Sequence, residues 1–227
     1  MISIKFVDKM GDDFRVFEAA KATLGGEEES GFVRGETDPS RLINFLAREK
    51  HITPFCHPHV TFECEAPIAI ARQLGKHQVG FRWNERSMRY KDSVIDVYVP
   101  DMFRGRPDNL HSGSADIDVS GRVVYEDWYD GDHGTIEDVY KYAIDQCLYF
   151  YNELVKAGLA PEQARFVLPQ GMITRWIWTG SLYGWYEVWR QRSSEHAQYE
   201  ARLFASQLDT HVSSLFPIAW EALKGNK

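Results

Sequence analysis

Between Arg72 and Tyr90 the chain concentrates side chains suited to holding an anionic, ring-bearing ligand. The stretch reads Arg72-Gln73-Leu74-Gly75-Lys76-His77-Gln78, then Val79-Gly80-Phe81-Arg82-Trp83, then Asn84-Glu85-Arg86-Ser87-Met88-Arg89-Tyr90. Guanidinium groups fit phosphate, and amides, a hydroxyl and a carboxylate together offer paired donors and acceptors to the edge of a heterocycle. A run of charges is more commonly a solvated face, but a solvated face has no need of this mixture. The formal net charge of −7 over 227 residues opposes generic nucleic-acid binding, which needs a basic surface. Locally the balance is reversed, with Lys76, Arg82, Arg86, Arg89 and Lys91 close together, and a pocket responds to its local field.

Two other groups of residues could do chemistry. In His51-Ile52-Thr53-Pro54-Phe55-Cys56-His57, a cysteine beside a histidine has the composition of an activated nucleophile. A lone cysteine is more often a packed small hydrophobe. His51, Cys56, His57 and His59 also contain enough soft ligands for zinc, although Pro58 separates two of them and no second cysteine pair follows. Trp176, Trp178, Trp185 and Trp189 could form a base-stacking platform, but their mixed spacing in an acidic chain fits a core or a subunit interface better. Three cysteines, Cys56, Cys64 and Cys147, are an odd set and imply free thiols rather than a disulfide framework.

The elements that must carry these residues follow from periodicity. Met1 to Val7 reads as a strand, and Asp12-Asp13 can cap a helix over Phe14 to Ala20 that Gly25-Gly26 ends. Asp38-Pro39-Ser40 opens a second helix with Leu42, Ile43, Phe45 and Leu46 on its apolar face. Val60, Phe62, Cys64 and Ala66 alternate with polar neighbours as in a half-buried strand, Pro67 ends it, and Ile68 to Leu74 is helical. A strand over Val94 to Val99 precedes a Gly- and Asp-rich stretch, Asp101 to Thr135, which reads as a long loop, a lid or a subunit contact. Ile136 to Ala157 is a helix, Pro161 starts a short one that Pro169 stops, Thr174 to Thr179 is a strand or a helix start, and Tyr199 begins a final helix toward Trp220. These elements make an α/β (α+β) protein, a central sheet flanked by helices. The length suits one domain over residues 1–227. With no export signal and no membrane-length apolar run, a cytoplasmic protein without membrane or nucleic-acid partners is expected.

The order of the motifs resembles the flavin-dependent thymidylate synthases. That family carries Arg-His-Arg, seven or eight residues, Ser, then Arg-Tyr; here Lys76-His77-Gln78, Ser87 and Arg89-Tyr90 stand at those places, with Asn84-Glu85 also in pattern. Only the central histidine of the first triplet is kept, so the contacts to the flavin are altered rather than deleted. His51 to His57 resembles a His-x-Ser/Thr-Pro-Phe-Glu-His element, with Cys56 replacing Glu. Ala164 to Pro169 and the run from Thr174 through Arg192 to His196-Ala197-Gln198 match two further elements in order and spacing.

The resemblance implies FAD held by His51, Thr53, Lys76, His77, Gln78, Asn84 and Glu85, with Ser181, Tyr183 and His196 nearby. It implies dUMP bound by Gln73, Glu85, Ser87, Met88, Arg89, Arg165 and Arg192, with Arg192 against the pyrimidine as the catalytic positive charge. No metal is implied. The implied reaction is methylation of dUMP to dTMP with 5,10-methylenetetrahydrofolate and NADPH as co-substrates, in a homotetramer whose active sites are shared between subunits. A flavoenzyme that methylates another pyrimidine nucleotide, or a non-catalytic nucleotide-binding protein, would keep many of the same residues.

Overall fold

The computed structural model describes residues 2–22, 38–87, 95–108, 113–128 and 132–225. In chain order it contains β1 (Ser3–Met10), α1 (Asp13–Lys21), α2 (Ser40–Arg48), a 3-10 turn (Thr53–Cys56), β2 (His59–Pro67), α3 (Ile68–Leu74) and β3 (Phe81–Glu85). There follow β4 (Val123–Trp128), β5 (Asp132–Thr135), α4 (Ile136–Lys156), α5 (Pro161–Ala164), a 3-10 turn (Arg165–Val167), β6 (Ile173–Ser181), α6 (Leu182–Arg192), α7 (Tyr199–Leu215) and α8 (Pro217–Lys224). A four-stranded sheet runs in the order β1-β2-β6-β3, and β4 and β5 pair as an antiparallel hairpin. Mixed sheet and helix is the architecture the periodicity implies. No helix among the described residues is long and apolar enough to cross a membrane.

The chain forms two compact units. One comprises Ile2–Cys64, Leu74–Asn84 and Trp176–Lys227. Its core is aromatic: Trp178 lies 4.7 Å from Phe81, 4.8 Å from Trp185 and 5.1 Å from Trp83, and Trp83 stacks on Trp176 at 4.4 Å. Alternation along β2 buries Val60, Phe62 and Cys64, and alternation along β6 buries Trp176 and Trp178, so each strand delivers one face to this cluster. Gly180 lets Phe81 approach, because a Cβ there would overlap the Phe81 ring. Helices α2, α6 and α7 each pack on α8, and α6 packs on α7. The Asp13 carboxylate, at the start of α1, accepts from the backbone N–H groups of Ile218 (3.0 Å) and Ala219 (2.8 Å) and so caps α8 from a distance of two hundred residues in sequence.

The other unit comprises Glu65–Gln73 and Glu85–Arg175. Helix α4 begins in a capping box, Thr135 accepting from the Asp138 N–H while Asp138 accepts from that of Thr135, and it packs on the hairpin and on α5. Arg175 pairs with Glu65, and Thr174 donates to Glu85 at 2.7 Å.

Several boundaries differ from those read in the sequence. The stretch Asp101 to Thr135 is not all loop, since it holds the β4–β5 hairpin; its Val123, Val124 and Tyr125 are all exposed, so no inside-outside alternation marks them as a strand. In Val94 to Val99 the described residues make only an isolated bridge, from Val97 to Met172. The final helix is two: Pro217 has no N–H to continue α7, and Phe216 before it is held at φ −138°. Thr174 to Thr179 resolves as strand, and α6 and β3 were not foreseen. Gly25-Gly26 lies outside the described residues.

Candidate active site

In the first unit a cleft of about 450 Å³ opens against the loop from Lys76 to Phe81 and one face of α6. That loop is forced by the end of α3 and by Gly80, whose φ of +77° is open to glycine at little cost. It brings Lys76, His77 and Gln78 to the cleft, and Ser181, Tyr183 and Arg192 reach it from the strand end and helix opposite. Ile52, Cys56 and His59 complete one wall.

The central contact joins two residues 115 positions apart in sequence. Arg192 Nε donates to His77 Nε2 at 3.1 Å, a bond that requires a neutral imidazole with its proton on Nδ1. Burial holds the His77 pKa down at about 4, helped by the Arg192 charge and opposed by the Glu187 carboxylate. Burial also lowers the pKa of Arg192, though far from enough to discharge it near neutrality. Glu187 is kept ionised chiefly by its hydrogen bonds from Arg190, at 2.7 Å and 3.1 Å. Desolvation pushes the Tyr183 phenol up. The cleft therefore presents a fixed guanidinium beside a neutral imidazole that cannot compete with it for an anion.

Ser181 has a second task, because its hydroxyl caps α6 by accepting from the Gly184 N–H at 3.1 Å. Burial raises the Cys56 thiol pKa, only partly offset by Ser181, and its S–H points to the Ile52 carbonyl at 3.5 Å. A protonated, donating thiol is a poor nucleophile.

A separate pocket of about 740 Å³ lies in the other unit. Glu85, Arg86 and Ser87 line it from the chain that follows β3, Arg165 and Phe166 from the 3-10 turn, and Thr174 from the start of β6. Arg165 is positioned by its own backbone, Nε donating to the Glu162 carbonyl at 3.2 Å. Arginine, carboxylate and hydroxyl in one pocket suit a phosphate and a polar ring.

The expected site residues thus fall into three groups. Lys76, His77, Gln78, Ser181, Tyr183 and Arg192 share the cleft, and Glu85, Ser87 and Arg165 share the second pocket. His51, Thr53, Gln73, Asn84 and His196 line neither; His51 packs edge-on to Phe45, and exposed His196 faces Glu195. Met88 and Arg89 lie outside the described residues. Sequence reasoning missed Glu187 and Gln191 as cleft residues. The available signal was the spacing of Tyr183, Glu187 and Gln191, each four residues apart and so on one face of α6.

The cleft suits a flavin ring by its chemistry. Aromatic and aliphatic walls from Phe81, Tyr183, Val79 and Ile52 accompany cationic and amide donors from Arg192, Lys76, Gln78 and Gln191, in a volume ordinary for a cofactor site.

The model of the family described as thymidylate synthase complementing protein matches residues 5–218. The flavin-dependent thymidylate synthase of Thermosipho africanus is 32% identical over 219 residues, covering 96% of this chain and 89% of the relative. That of Kosmotoga olearia is 32% identical over 228 residues, covering 96% and 88%. Among solved structures, the UMP/dUMP methylase PolB from Streptomyces cacaoi, bound with 5-Br dUMP, superposes with a TM-score of 0.77 at 26% identity over 99% of this chain and 95% of its own. Matched over residues 5–218 by that model and by relatives of this identity over nearly their whole length, the chain belongs to the thymidylate synthase complementing protein family, that of the flavin-dependent thymidylate synthases.

Proposed function

We propose that this protein is a methyltransferase that converts dUMP to dTMP, with FAD as its cofactor, methylenetetrahydrofolate as one-carbon donor and NADPH as reductant. The observation that carries the reading is the convergence of Lys76, His77, Gln78, Tyr183 and Arg192 on one cleft, from sequence positions more than a hundred residues apart. FAD held there supplies the hydride chemistry that no protein side chain provides. The chain's own residues do the rest. Phe81 and Tyr183 offer faces for a planar ring, Lys76 and Gln78 donate to its polar edge or its phosphates, and Arg192 sets a positive charge where the pyrimidine gains electron density. Neutral His77 keeps that guanidinium in place without adding a second cation. Glu85, Ser87 and Arg165 bind dUMP, Arg165 taking the phosphate. No enzyme nucleophile is required, consistent with the raised thiol of Cys56.

A homotetramer whose subunits each lend part of every active site belongs to this reading. The whole chain acts as one catalytic domain in the cytoplasm. The test is the purified protein's visible spectrum, followed under anaerobic conditions. Flavin absorbance bleached by NADPH, with dTMP formed from dUMP and the folate, is the expected result. Arg192→Ala should keep the flavin and lose at least about 100-fold in turnover, the usual effect of removing one stabilising charge. Running UMP beside dUMP separates this reading from methylation of a ribonucleotide.

A further inference from the structure

Helix α2 ends on a residue its backbone does not favour. The His51 N–H donates to the Leu46 carbonyl at 2.9 Å and the Lys50 N–H to that of Ala47 at 3.1 Å, the paired bonds that close a helix through one left-handed residue. That residue is Lys50, at φ +59°, and among the described residues no other non-glycine has a positive φ. Glycine is the usual occupant of this place, because a Cβ there crowds the following carbonyl. Strain of this kind persists where a side chain has a task that outweighs it.

Lys50 lines a cavity of about 330 Å³ in the first unit, distinct from the cleft. Its rings are Phe55, Tyr183 and Tyr186, its second cation is Arg190 and its one carboxylate is Glu187. Phe55 is fully buried and Tyr186 nearly so, and Tyr183 stands 5.8 Å from Tyr186, so packing fixes the apolar walls. Glu187 is engaged by Arg190 Nε and Nη2, at 3.1 Å and 2.7 Å, and Glu49 by Arg48 at 2.9 Å. Lys50 and Arg190 against Glu187 leave the cavity one positive charge, carried by the strained lysine. Ile52, Tyr183 and Glu187 line both the cavity and the cleft, so one long ligand can reach into each.

We propose that this cavity binds a carboxylate carried on a flat ring, the ring against Tyr183 and Tyr186 and the carboxylate on the Lys50 ammonium. Resting on the reaction proposed above, the ligand is the aminobenzoylglutamate end of the folate. Its ring is flat and uncharged, its two carboxylates suit Lys50 and the Arg190 Nη1 that Glu187 does not use, and its other end must reach the cleft. The 2′-phosphate of the reductant suits the cavity less well, since it carries nearly two negative charges and would sit beside Glu187 where the surplus is one.

The probe is p-aminobenzoyl-L-glutamate, titrated calorimetrically into the purified full chain. It should bind the wild type, bind Lys50→Gly about tenfold or more weakly, and bind Lys50→Arg within a few-fold of wild type. Lys50→Gly should at the same time unfold about 2–4 °C higher, because glycine relieves the left-handed strain. Weaker binding by a more stable protein excludes misfolding as the cause. A probe that does not bind, or that binds Lys50→Gly as tightly as wild type, would overturn the inference. Adenosine 2′,5′-bisphosphate titrated in parallel separates the reductant: if its affinity falls in Lys50→Gly and the probe's does not, the inference is overturned. None of these titrations requires turnover, so dTMP formation by a protein that fails them would leave the proposed reaction intact, and Lys50-dependent binding by a protein that makes no dTMP would support the site and refute the reaction.

Discussion

Replacing His77 with Gln should remove a specific part of the pH dependence of stability. In the folded protein burial and the neighbouring Arg192 charge hold the His77 pKa at about 4, against an ordinary value of 6.5. Between those two values the unfolded chain binds a proton that the folded chain refuses, so stability falls as pH drops from 6.5 toward 4 and is flat above that window. At full strength the loss between 6.5 and about pH 5 would be about 2 kcal/mol. His77 is only half-buried, and solvent screening reduces this to about 1 kcal/mol. Glutamine can still accept from Arg192 Nε but does not titrate. Urea unfolding at about pH 7 and about pH 5 should therefore show the wild type losing about 1 kcal/mol more than His77→Gln. Parallel losses in the two proteins would refute the reasoning. So would an imidazole signal for His77 that titrates near its ordinary value, or one that reports the proton on Nε2.

Other consequences are as direct. Asp13→Ala should cost about 1–2 kcal/mol in urea unfolding, because two N–H groups at the start of α8 lose their acceptor. Ser181→Ala should destabilise even cofactor-free protein by about 1 kcal/mol through loss of the α6 cap, which distinguishes its structural task from any contact with FAD. Gly180→Ala should displace Phe81, destabilise by about 1–3 kcal/mol or more and change the tryptophan fluorescence of the cluster around Trp178; an unchanged spectrum would contradict the close approach. Cys56→Ala should leave dTMP formation within a few-fold of wild type, measured by product chromatography, since its thiol is protonated and donating.

The elements most legible in the sequence are those whose burial follows a period. Alternation from Val60 to Ala66 marks β2, and the helical spacing of Leu42, Ile43 and Leu46 marks α2. The hairpin β4–β5 escaped because both faces of its first strand are wet, so Val123, Val124 and Tyr125 give no alternation. Helix α6 escaped because Leu182, Trp185, Tyr186, Val188 and Trp189 bury most of its circumference, leaving little besides Tyr183, Glu187 and Gln191 to mark its period. At the site, motif order singled out Lys76, His77, Gln78 and Arg192. It could not indicate that His77 and Arg192 touch, because a contact across 115 residues depends on how the chain folds. Nor could it divide the candidate residues between two pockets, which only the paths of β3 and β6 determine.

The central claim is that the cleft holding Lys76, His77, Gln78 and Arg192 is a flavin site serving pyrimidine methylation. Anaerobic single-turnover spectroscopy tests it most directly. Protein reconstituted with FAD and reduced by NADPH should regain its oxidised flavin absorbance only when dUMP and methylenetetrahydrofolate are both added, with one dTMP formed per flavin reoxidised. A protein that takes up no FAD, or a reduced flavin that reoxidises without yielding dTMP, would contradict it.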